Sequence, residues 1–142
     1  MKTAVMVTMM ILAASVYAQD GTQEQGYFTN PAKYLGMPVA KAERSYLACL
    51  QSNNEGVVES ALAQVAMMKL VLPTCESKAL QEKVGQMSRK AANPEMRYKA
   101  FLTANVLEQP QVFSGIESGR YNSADELFDV VATRLSRFYA MR

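Results

Sequence analysis

An all-helical fold is predicted by three features of this chain. From Pro38 onward the apolar residues recur every three to four positions, and no stretch alternates with period two for long enough to make a strand. Cap residues and prolines punctuate the chain where helices should begin and end. A two-helix pattern also returns after 39 residues, from Asn54 to Asn93. With 142 residues, 49% of them hydrophobic, there is room for one domain and a core of useful size.

The first helix is expected from about Pro38 to Gln51, proline suiting a first turn, with Val39, Ala42, Tyr46, Cys49 and Leu50 on its apolar side. Ser52 and Glu55 are spaced as a capping box for the second helix, which runs to about Leu72. Val58, Ala61, Leu62, Val65, Met68 and Leu72 form its stripe, and Val57 and Met67 widen it, so burial on more than one side is expected. Pro73-Thr74 ends that helix. The third, about Cys75 to Ala91, carries the narrow stripe of an outer helix (Leu80, Val84, Met87, Ala91). Asn93-Pro94-Glu95 is the clearest start in the chain: a cap residue, a first-turn proline and a first-turn acid.

The fourth helix then runs to about Glu108 and is apolar nearly all round (Met96, Ala100, Phe101, Leu102, Val106, Leu107), which makes it the expected most buried helix, with Lys99 on an exposed face. Pro110 stops it. Residues 111–122 read as an irregular connection anchored by Phe113, Ile116 and Tyr121. Ser123 and Glu126 make a capping box for the fifth helix, which runs to about Met141 with Leu127, Val131, Leu135 and Phe138 facing the core, supported by Phe128 and Tyr139. Arg134, Arg137 and Arg142 lie toward its C-terminal end, where the helix dipole favours cations.

Residues 1–18 have the three-part layout of a secretory signal: a Met1-Lys2 start, an apolar run, and Val16-Tyr17-Ala18 before the cleavage point. The run is shorter than the ~20 residues of a spanning helix, and no basic stop-transfer cluster follows. Export to a bacterial periplasm or the medium is the expectation, with a mature start at Gln19. Residues 19–37 then form an irregular lead-in laid on the domain by Tyr27, Phe28, Tyr34 and Leu35, and residues 38–142 form the single helical domain. Of 15 basic and 13 acidic residues, one lysine and no acid fall in the signal, leaving +1. That charge favours neither nucleic acid nor a membrane surface.

Chemistry is sparse. The chain has no histidine, which removes the commonest metal ligand and every Ser–His or Cys–His nucleophile pair. Cys49 and Cys75 are candidates for a disulfide in an exported chain; the competing reading is two small apolar residues in helix packing. Glu55 and Glu59, and Asp125, Glu126 and Asp129, are accounted for as acids in first turns, not as acid–base pairs. Ser77-Lys78 and Ser88-Arg89-Lys90 read as solvated helix faces, and Gly115 and Gly119 do not make a phosphate loop. Lys83, Arg89, Lys90, Arg97 and Lys99 cluster about the turn between the third and fourth helices, a candidate partner surface diluted by Glu76, Glu82 and Glu95. Asn105, inside an apolar helix, needs a partner: it either bonds a neighbouring helix's backbone, the favoured structural role, or faces a groove. No metal, cofactor or nucleic acid is expected.

The run Asn93-Pro94-Glu95-Met96-Arg97-Tyr98-Lys99-Ala100 resembles the HEAT-repeat family's pattern of turn, proline, apolar residue, arginine and alanine. The weaker first copy, Asn54 to Ala61, has Glu55 in place of the proline and Val58 in place of the arginine, so only Arg97 is left for an inter-repeat ladder. The resemblance covers about residues 39–108. It implies a short α–α solenoid of two helical hairpins with the fifth helix as a C-terminal cap, acting as a non-catalytic protein-binding or scaffolding module. The alternative is a small periplasmic helical-bundle accessory protein: a chaperone, inhibitor or stress protein.

Overall fold

A computed structural model describes residues 27–28, 34–118 and 121–142; the expected signal peptide lies outside them. The described residues hold α1 (Val39–Leu50), α2 (Glu55–Val71), α3 (Lys78–Lys90), α4 (Pro94–Glu108) and α5 (Ala124–Ala140), with a 3-10 turn at Pro110–Phe113 and no strand. The all-helical expectation is met. None of these helices is long and apolar enough to cross a membrane.

Local chemistry sets the boundaries. Asn54 caps α2, its Oδ1 accepting from the backbone N–H of Gly56 (2.9 Å) and Val57 (3.3 Å). Ser52, the cap expected from sequence, instead accepts from the Asn54 N–H, because the chain is still turning at that point. Asn93 caps α4 in the same way, accepting from the Glu95 N–H at 2.8 Å with Pro94 in the first turn. α3 starts at Lys78 and not at Cys75: Ser77 caps it through the Leu80 N–H, and residues 72–77 are spent crossing from α2. Ser123 caps α5 through the Glu126 N–H, while the Glu126 carboxylate accepts from the Asn122 N–H in place of that of Ser123.

The helices pack in three layers. α1 lies against α2 and α3, α3 against α4, and α2 against α4. α2 and α4 run side by side in parallel, since cross-links between them advance together along both helices: Asn93 to Glu55, Lys99 to Glu59, and Thr103 to the Leu62 carbonyl. The starts of α1 and α3 meet where the Ser77 hydroxyl donates to Glu43 at 2.5 Å. α5 and the 3-10 turn pack across α2 and α4, with Leu127, Phe128, Val131 and Leu135 buried. α5 thus reaches both α2 and α4.

Being sandwiched makes α2 the helix buried nearly all round, from Val58 to Lys69. α4 was expected to hold that place, yet it leaves Tyr98 (53% exposed) and Phe101 (43% exposed) in solvent, having no neighbour on that edge. In the lead-in, Tyr34 is buried and donates to Gln64 Oε1 at 2.5 Å, while Leu35 is exposed. Phe28 meets Tyr121 edge-on with ring centroids 6.1 Å apart. Tyr139 is exposed and adds little to the core side of α5. Phe113, Ile116 and Tyr121 do anchor the connection, and Gly115 turns it with φ 83°, a conformation that suits glycine.

Candidate functional site

Lys99 is the chemical centre of the molecule, and it is buried, only 5% exposed, which corrects the exposed face assigned to it from sequence. α4 places it where α2 and α5 meet. Its ammonium donates to Glu59 on α2 and to Glu95 one turn earlier on α4 (2.7 Å), and it pairs with Asp125 on α5 (2.8 Å). The Phe128 ring lies 6.0 Å away. Burial alone lowers the lysine pKa, but the hydrogen bonds it donates to Asp125, Glu59 and Glu95 outweigh that and raise it above the ordinary 10.5.

That electrostatic balance decides what the site can do. A lysine nucleophile needs a free lone pair, and this amine is held as an ammonium. Three carboxylate oxygens within 4.8 Å of one another have the composition of a hard-cation site, and the Lys99 ammonium sits among them, offsetting one of their three charges. The acids that sequence spacing assigned to helix dipoles thus have a second task, tying α2, α4 and α5 together. The signal for it was present in part: Glu95 and Lys99 stand four apart on one helix.

The candidate basic surface comes apart in the structure. Lys99 is internal, and Arg97 turns its guanidinium back onto the Ala91 (2.8 Å) and Ala92 (3.3 Å) carbonyls, closing the end of α3. Arg89 and Lys90 are exposed and Lys83 is half-buried, all on α3. Cys49 and Cys75 are half-buried and carry free thiols. Asn105 is satisfied within its own helix, donating to the Phe101 carbonyl at 2.8 Å, not to a neighbour.

Two surface depressions remain. An open groove of about 460 Å³ runs between α1 and α2, lined by Tyr46, Cys49, Val57, Ser60, Ala61 and Gln64 among others. A shallower one of about 260 Å³ lies along the outer side of α5 at Asp129, Val130, Thr133, Arg134 and Arg137. The exposed aromatic pair Tyr98 and Phe101 went unnoticed in the sequence, because the fourth helix reads as apolar all round. No protein-family model, curated protein or solved structure matches this chain.

Proposed function

We propose that this chain is an exported, non-catalytic protein-binding or scaffolding module built from two HEAT-like helical hairpins. One observation carries the reading: α2 and α4 lie parallel, each capped by an asparagine 39 residues from the other and cross-linked at Glu55–Asn93, Glu59–Lys99 and Leu62–Thr103. Stacked hairpins are the unit from which helical solenoids build binding surfaces. The non-catalytic part is supported by the Lys99 cluster, whose one amine is held as an ammonium by three carboxylates. Export rests on residues 1–18, and N-terminal sequencing of the secreted protein should begin at Gln19; an intact Met1 overturns it.

With α5 across the middle pair, binding falls to the ends of the stack. A photoreactive phenylalanine at position 57, 101 or, as control, exposed position 44 tests this in producing cells. A discrete adduct at 57 or 101 and none at 44 is the expected result. No adduct, or equal labelling at all three, overturns the binding reading. A second reading, the small helical-bundle accessory protein, is favoured by the same position of α5, which closes the inner face as a bundle does.

A further inference from the structure

The exposed aromatic edge of α4 and the open groove beside α2 are related by the repeat itself. Asn54 and Asn93 are both N-caps, which makes residues of α2 and α4 that lie 39 apart equivalent. Within the chain, α2 meets α4 at Glu59, through its carboxylate, and at Leu62, through its backbone carbonyl. Thirty-nine residues further on, those positions are Tyr98 and Phe101, the two exposed aromatics of α4. The receiving residues on α4 are Lys99 and Thr103, whose counterparts 39 residues earlier are Ser60 and Gln64. Both of those line the open groove. One end of the molecule therefore repeats the ridge, and the other repeats the socket, of the contact that already joins its two hairpins.

We propose that a second copy of this chain docks head to tail, Tyr98 and Phe101 of one molecule entering the α1–α2 groove of the next and continuing the hairpin stack across copies. The proposal rests on the repeat reading given above. The chemistry matches on both sides. The groove is lined by neutral residues, with Val57 and Ala61 as apolar wall and Ser45, Ser60 and Gln64 as polar rim. A phenyl ring with a phenol beside it fits that mixture, since tyrosine brings an apolar body and a hydroxyl able to find a partner. Solenoid ends that must stay monomeric carry polar faces, and this edge carries aromatics. Because ridge and groove are different surfaces, the contact is heterologous and each added copy leaves both a free ridge and a free groove.

Sedimentation of the mature protein over a range reaching about 1 mM, the weak end of specific association, tests it. The average mass of wild type should rise past the dimer as concentration increases. Phe101→Glu and Val57→Arg, both at exposed positions, should each weaken self-association by about 10-fold or more while leaving helical content and melting unchanged. Mixing the two variants pairs the intact groove of the first with the intact ridge of the second, and should give a heterodimer and nothing larger. A wild type that stays monomeric throughout, or self-association that survives both substitutions, overturns the stacking. Neither result touches the repeat reading, which fails separately if Glu59 and Lys99 prove energetically independent.

Discussion

At Lys99, one buried ammonium satisfies three acids from three helices, and the consequences of removing each partner differ. Glu95 and Asp125 are largely exposed and can return to water, so Glu95→Gln or Asp125→Asn should cost no more than about 1 kcal/mol in denaturant melts. Removing all three acids strands a buried cation, and Glu59→Gln/Glu95→Gln/Asp125→Asn together should cost about 3–5 kcal/mol. Because the folded-state pKa of Lys99 lies above 10.5, its contribution is complete below that pH and is lost as pH rises through the folded value. The stability difference between wild type and Lys99→Met should therefore be flat from neutrality toward pH 10 and shrink beyond 10.5. Taking the difference cancels the alkaline losses of Tyr34, Tyr46 and Tyr121, whose burial raises their pKa values in both proteins. A difference that persists unchanged into strong alkali means Lys99 acts by packing alone. The cysteines make a simpler prediction: unfolded, unreduced protein should titrate with two thiols, and a count of none restores the disulfide.

At the scale of the element, α4 rests on its cap and on close approach to its neighbours. Asn93→Ala removes both the cap to Glu95 and the link to Glu55, and should cost about 0.5–2 kcal/mol. Ala100 is fully buried, so Ala100→Leu should overpack its site by about 1–3 kcal/mol, whereas Ala48→Leu on the exposed side of α1 should stay within about 0.5 kcal/mol. Equal effects would mean that α4 presents a different face to its neighbours. The helices themselves were legible in sequence because their signals are local: apolar spacing, Asn93-Pro94, and Ser123 before α5. Boundaries slipped where two cap residues stood close together. Ser52 and Asn54 both suit a cap, and only the path of the turn decides between them. Lys99 was misread for a different reason. Its side chain follows Glu95 in a pattern common on solvated surfaces, and two of its three acids reach it only through tertiary packing. Phe101 erred the other way, since periodicity shows that a face is apolar without showing whether anything covers it.

For the whole molecule, the all-helical class was legible in the sequence, but the place of α5 was not. An amphipathic helix shows in sequence that Leu127, Val131 and Leu135 are buried, but not against which neighbours. Here it packs on α2 and α4, and Asp125 reaching Lys99 is the contact that marks it. The parallel stacking of α2 on α4 is the claim on which the binding reading and the head-to-tail docking both depend. A double-mutant cycle on Glu59 and Lys99, using Glu59→Gln, Lys99→Met and the pair, measures it most directly by equilibrium denaturation. Residues in contact across that interface should show a coupling of about 1–3 kcal/mol. Additivity within about 0.3–0.5 kcal/mol, as for residues that do not touch, contradicts the stacking.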